Sequence, residues 1–283
     1  MTRPDLDLLG PAEVIELLLD AESRVVPAVR AAAAELTAAA ELLSRRVDAG
    51  GRLVFAGAGT SGRIAAAEAA ELPGTFGLSR QRVLHRVAGG AESTDDDEDD
   101  LSGAGRDLAE LALTADDVLI AVAASGSTPY TLALAEQART VGAAVIAVVT
   151  VPGSALAALA DVTVTAEVGP EVLRGSTRMT AGTAQKVVLN ALTTAAMARS
   201  GRVHGDLMID VVPANLKLRA RAAGIVAEIA QCEPGEALAA LAACGDNARA
   251  AVLVLLSDLS PEQARRRAES ARSLREALAG GPS

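Results

Sequence analysis

Apolar positions along the chain change their period near residue 50. Before it, from Pro11 onward, they recur at helical spacing through Val14, Leu17 and Leu18, and Pro11 suits a first helical turn. Gly50-Gly51 closes that segment. Beyond it, strand-length runs at 53–56, 83–88, 118–124, 144–151 and 162–166, most of them continuously apolar at their centre, alternate with helical patterns, among them 64–72, 132–141 and 156–159. Continuous apolar runs of strand length are the signature of strands buried on both faces, so the alternation predicts an α/β fold with a parallel sheet flanked by helices. Two longer helices are expected over 180–199 and 215–231. Glu233-Pro234-Gly235 then marks a boundary, and 236–279 reads as three short helices broken at Gly245-Asp246 and Ser260-Pro261. The expected organisation is an N-terminal helical segment over 1–50, a sheet domain over 51–232 and a small C-terminal helical domain over 233–283. The last is too small for a comfortable core of its own and should pack on the main body.

Composition narrows the function classes. Half of the 283 residues are hydrophobic and 22% are charged, so a large core is expected and disorder is not. A net charge of −10 argues against nucleic acid as a partner, because phosphate backbones need a basic surface. Residues 1–7 carry Arg3, Asp5 and Asp7 and no apolar core, and the longest apolar runs are strand-length. No signal peptide or membrane span is expected, and the chain reads as cytoplasmic. Cys232 and Cys244 lack metal or redox spacing and read as thiols in a reducing compartment. The rare types are informative: the aromatics are Phe55, Phe76 and Tyr130, and the lysines are Lys186 and Lys217 against 24 arginines.

Chemistry concentrates in three segments: Gly57-Ala58-Gly59-Thr60-Ser61-Gly62-Arg63, Ala124-Ser125-Gly126-Ser127-Thr128-Pro129-Tyr130 and Gly175-Ser176-Thr177-Arg178. Each puts small and hydroxyl residues where an apolar run stops and a helical pattern starts. Glycine lets backbone approach a ligand, amides at a helix start point outward, and hydroxyls add donors, so the pattern is an anion cradle. Thr60, Ser61, Ser125, Ser127, Thr128 and Ser176 are its candidate donors, with Arg63 and Arg178 beside them. The plainer role for each hydroxyl is to cap the following helix. The leading ligand is a phosphorylated small molecule. The acidic run Asp95–Asp100 lacks the spaced ligands and glycine turn of a calcium loop, and neither His85 nor His204 neighbours a cysteine, so no metal site is expected. His85 falls on a strand expected to be buried.

These motifs, with several more, resemble the SIS-domain proteins and, within them, the N-acetylmuramic acid 6-phosphate etherase family. The match runs through Glu71 ahead of Pro73, Thr75-Phe76-Gly77, Ala88-Gly89-Gly90, Val168-Gly169-Pro170-Glu171-Val172 and the run from Gly175 to Lys186, then Asn190, Leu207-Met208 and Asp210. It covers roughly residues 50–220, and the Gly175-to-Lys186 run is its most specific part. The resemblance implies an SIS-type sheet and a lyase that releases D-lactate from N-acetylmuramic acid 6-phosphate in cell-wall sugar recycling, leaving N-acetylglucosamine 6-phosphate. It implies no cofactor or metal, and a homodimer with the site between subunits. A sugar-phosphate-binding regulator and a sugar-phosphate isomerase are the alternatives.

By the same resemblance, Glu71 is the general acid that protonates the leaving ether oxygen. A carboxyl group can keep its proton near neutral pH when it is buried, and Pro73, Thr75 and Phe76 are expected to supply an apolar wall. The base falls on Glu98, with Glu92 as the other candidate, because the segment after Gly90 is shorter than is usual in the family. Arg178 and Lys186 would hold the phosphate or the lactyl carboxylate, or form ion pairs. Glu171 would touch a sugar hydroxyl or steady the Gly175 loop. The loop holding His204 is implied to lie near the site. Val212-Pro213-Ala214 replaces a more polar stretch, which bears on substrate range more than on fold.

Overall fold

A computed structural model of the chain describes residues 5–92 and 94–280. Three helices come first: α1 (Pro11–Glu22), α2 (Val25–Ala31) and α3 (Ala33–Asp48). The sheet region follows as β1 (Leu53–Gly57), α4 (Gly59–Phe76), β2 (Val83–Val87), α5 (Leu101–Leu111), β3 (Val118–Val122), α6 (Pro129–Thr140), β4 (Ala144–Val149), α7 (Ala155–Leu159) and β5 (Val162–Thr165). The long α8 (Thr180–Arg199) then leads to α9 (Leu216–Ala230), α10 (Pro234–Ala243), α11 (Ala248–Leu256), α12 (Pro261–Ser270) and α13 (Leu274–Ala279). The helices at 64–72 and 132–141 start earlier than their apolar pattern, because glycine, hydroxyl and proline residues form their first turns. No single described helix is long and apolar enough to cross a membrane.

All five strands run parallel, in the order β2-β1-β3-β4-β5. Every residue of β1, β3 and β4 is buried. Alternate side chains feed two cores. Leu53, Phe55, Val118, Ile120 and Ile146 pack beneath α2, α3, α4 and α8. Val54, Leu119, Ala121, Val145 and Ala147 face α5, α6 and α7. This double coverage is why the strand patterns show no polar alternation. The edge strands are less covered, and His85, expected in the core, is exposed because β2 is an edge.

A third apolar cluster starts at Ile209 and runs through α9 to α13, so α9 shares its core with the helices beyond the turn at Glu233-Pro234-Gly235. Cys244 is buried inside it, and Cys232 packs against it; both are free thiols. Asp210 joins this cluster to the rest. Its two oxygens take the Arg249 guanidinium at 2.5 and 2.6 Å, and Arg249 also reaches the Gly201 carbonyl at 2.9 Å.

The amino edge of the sheet is pinned by Asp117, whose side chain is 2% exposed. It accepts from the Arg52 amide at 3.1 Å, from Arg52 Nε at 3.0 Å and Nη2 at 2.6 Å, and from the Thr114 amide at 2.8 Å. Burial pushes this carboxyl up, but the Arg52 side chain and the two backbone amides outweigh it and hold the group below the usual carboxylate range. A carboxylate depressed by folding contributes stability that is fully present above its unfolded pKa, about 3.9, and is lost as the pH falls through its folded value. Asp117→Asn is therefore expected to cost about 2 kcal/mol near pH 7, with the gap to the parent closing below pH 4. Denaturant titrations at pH 7 and pH 3 measure both.

Candidate functional site

The chain order places β2 on one side of β1 and β3 on the other, so the crossovers leaving β1 and β3 diverge. Such a switch point leaves a crevice at the carboxyl edge of a parallel sheet. Here it is a cavity of about 370 Å³, and the first two glycine-hydroxyl loops line it. From the first come Thr60, Ser61 and Arg63; from the second, Ser125 and Thr128. The third segment completes the lining with Ser176, Thr177 and Arg178.

Close backbone packing makes the first loop possible. A methyl group on Gly57 would stand 2.5 Å from the Val122 carbonyl oxygen, and one on Gly62 would stand 2.5 Å from the Gly57 carbonyl oxygen. Gly59 follows with φ +51, a left-handed conformation that favours glycine. α4 and α6 then start without side-chain caps: neither Ala58 nor Thr128 bonds the first turn through its side chain. Their outward amides leave two positive helix ends at the cavity. Ser125 Oγ accepts from the Ser127 amide at 3.2 Å and lies 3.0 Å from Ser127 Oγ, so Ser127 shapes the loop without lining the cavity.

The third helix start is treated differently. The Glu171 carboxylate accepts from the amides of Thr180 at 3.1 Å and Ala181 at 2.9 Å. An internal anion thus already occupies the α8 N-terminus. Glu171 thereby ties the segment before the Gly175 loop to the start of α8.

The acidic run forms a tight turn over Asp95–Asp99. Asp97 bonds back to the Thr94 amide at 2.6 Å, and Asp100 caps α5 by accepting from the Ser102 amide at 2.9 Å. Glu98 points the other way, into the cavity, where its Oε1 stands 2.5 Å from the position a Gly59 methyl would take. Glu92 is exposed and does not line the cavity. The turn is held from behind through α5. Tyr130, fully buried, donates its hydroxyl to Asp107, which also pairs with Arg86 at 3.3 Å. Burial and the Asp107 carboxylate push the Tyr130 phenol far above its ordinary value, so it stays a donor.

Two expected participants lie elsewhere in the single chain. Glu71 is exposed on α4, and 12 residues of helix put it about 18 Å along the axis from Gly59 and hence from Glu98. The wall expected around it faces inward instead, since Pro73 and Phe76 are buried in the core beneath. Lys186, on α8, binds Glu68 at 2.5 Å. His204 pairs with Leu207 in a turn that leads into the C-terminal cluster, and it does not line the cavity. Among the described residues no three His, Cys, Asp or Glu side chains gather as metal ligands would. Glu68 and the Tyr130–Asp107 pair were missed by sequence reasoning. The available signals were the Glu68/Glu71 spacing and the retention of a lone tyrosine.

Residues 19–150 match the SIS domain model. An N-acetylmuramic acid 6-phosphate etherase from Aeromonas hydrophila is 41% identical over 270 residues, covering 94% of this chain and 91% of that protein. One from Rubrobacter xylanophilus is 42% identical over 281 residues, covering 98% and 93%. The chain belongs to the N-acetylmuramic acid 6-phosphate etherase family. Its fold also recurs in a solved protein from Escherichia coli, 23% identical, with a TM-score of 0.52 over 70% of this chain and 97% of that one. A phosphoheptose isomerase from Francisella tularensis, 19% identical, gives a TM-score of 0.50 over 67% and 100%. Within this family fold the cavity gathers hydroxyls, Arg63, Arg178 and two open helix ends, with the Glu98 carboxylate beside them.

Ser61→Ala is expected to weaken thermal stabilisation by inorganic phosphate, raising its Kd about fivefold for one lost hydrogen bond. Glu92→Ala, outside the cavity, should leave that Kd unchanged. A thermal-shift titration of both variants checks this.

Proposed function

We propose that the chain is a carbon–oxygen lyase that removes D-lactate from N-acetylmuramic acid 6-phosphate and yields N-acetylglucosamine 6-phosphate. The observation that carries this reading is the Glu98 carboxylate inside the same cavity as the hydroxyls and open helix ends. Those donors suit a phosphate group. With the phosphate seated there, Glu98 is the base for the proton at C2 of the opened sugar. Glu71 donates a proton to the ether oxygen as lactate leaves from C3, and water then adds across the double bond. Etherase relatives about 40% identical over most of the chain favour this over an isomerase or a sugar-phosphate-binding regulator.

One chain leaves its two glutamates apart, and a second copy is the natural source of the missing acid. The surface around Glu71 supports this. The Val212 amide donates to the Gly74 carbonyl at 2.9 Å, which sets an exposed segment against the end of α4. Val212 is 42% exposed and Leu216 88%, and Ala67 and Ala70 on α4 are exposed as well. Exposed apolar groups around a carboxyl that must hold a proton fit burial by a symmetric partner. The reading is a cytoplasmic homodimer in which each site takes Glu98 from one copy and Glu71 from the other.

Lactate release from N-acetylmuramic acid 6-phosphate should be abolished in both Glu71→Gln and Glu98→Gln, while each still binds the substrate. Mixing the two dead variants and allowing subunits to exchange should restore about a quarter of parental activity, the statistical share of intact shared sites. No lactate from the parent would sink the etherase reading. No recovery on mixing would place both glutamates in one subunit's site.

A further inference from the structure

Glu68 is buried at 4% exposure, on the side of α4 that meets α8. A buried carboxylate is costly unless it is paired and hydrogen-bonded. Here both oxygens are used: Oε2 accepts from Lys186 Nζ at 2.5 Å, and Oε1 accepts from Thr193 Oγ1 at 2.6 Å. The lysine end is different, since its side chain stays 43% exposed. An ammonium group has three donors, so one anchors on Glu68 while the others face outward. The pair is a cation mounted on a buried support.

Its place on the seam between α4 and α8 gives the cation a use. The seam begins at the cavity wall, where a methyl group on Gly182 would stand 3.6 Å from Thr60 Cγ2 and 3.4 Å from Ile64 Cδ1. Lys186 lies one turn further along α8, about 6 Å from Gly182, and Glu71 comes one turn after Glu68 on α4. The cation therefore stands on Glu68, one turn before Glu71, on the part of α4 that the shared-site reading assigns to the partner's ligand, and apart from Arg63 and Arg178, which line this chain's own cradle. The residue type also fits. An arginine would close a two-pronged grip on Glu68, whereas a lysine is a point charge that can serve two carboxylates. This chain keeps lysine here although it uses arginine at 24 of its 26 basic positions.

We infer that Lys186 reads the carboxylate of the ether substituent rather than the phosphate, and that Glu68 and Thr193 are positioning residues that hold its ammonium in place. The inference rests on the etherase reading. It makes Lys186 the group that distinguishes a lactyl ether from a neutral alkyl ether of the same sugar phosphate.

The test compares two substrates that give one sugar product: N-acetylmuramic acid 6-phosphate and the neutral 3-O-ethyl ether of N-acetylglucosamine 6-phosphate. The second is read by its KM or, where it is not turned over, by its Ki as an inhibitor. Lys186→Met should raise KM for the lactyl ether 10- to 100-fold, roughly the range for a lost charged hydrogen bond, and move the ethyl ether constant less than about twofold. Glu68→Gln and Thr193→Val should shift the lactyl KM in the same direction by smaller factors, with the ethyl ether constant again nearly still. Equal losses on both ligands, or no change on either, would overturn the proposal. Lys186→Gln gives the same reading should Lys186→Met not fold. A parent that releases no lactate fails the etherase reading instead, so the two failures are separable.

Discussion

The backbone of β1 touches the backbone of α4 at Gly57 and Gly62, and the carboxyl edge of the molecule depends on that contact. Any side chain at either position would put its first carbon 2.5 Å from a carbonyl oxygen, well inside van der Waals contact. Because the contact is bare, α4 begins immediately after the strand, and its open first turn lies beside β3. The same crowding sets Gly59 in its left-handed turn and leaves room for the Glu98 carboxylate beside it. Cradle and acid turn meet because two glycines let a helix lean on a strand.

Electrostatics completes what packing begins. A chain with a net charge of −10 still gathers, at one cavity, fixed donors of the kind that suit an anion, because such attraction acts within a few ångströms. Two helix starts, at α4 and α6, are left uncapped and aim at the cavity, while the third, at α8, is satisfied internally by Glu171. The acidic run is divided in the same way. Asp97 and Asp100 serve the backbone, and Glu98 alone among the three turns to the cavity.

α4 connects everything the function needs. Its first turn supplies the cradle, its middle holds Glu68 against Lys186, and its last turns carry Glu71 to an exposed surface. A helix of 18 residues is longer than one sugar, so on the proposed reading one end of it serves the subunit's own ligand and the other a neighbour's. The proposed shared site accounts for two glutamates that one chain holds apart.

Period and punctuation in the sequence by themselves determined the strands, the long helix at 180–199 and the coverage of the sheet on both faces, because burial on two sides leaves an unbroken apolar run in the central strands β1, β3 and β4. The glycine-hydroxyl loops were legible for the same local reason, since an anion cradle is built from consecutive residues. Strand order and long-range side-chain pairing were not legible. Only the tertiary structure decided that β2 is an edge and His85 exposed, that Glu98 rather than Glu92 enters the cavity, and that α9 joins the C-terminal core. It also decided that Glu68 is the buried support of Lys186, 118 residues away. Those outcomes depend on which surfaces meet across long stretches of chain, and no spacing within a single segment carries that information.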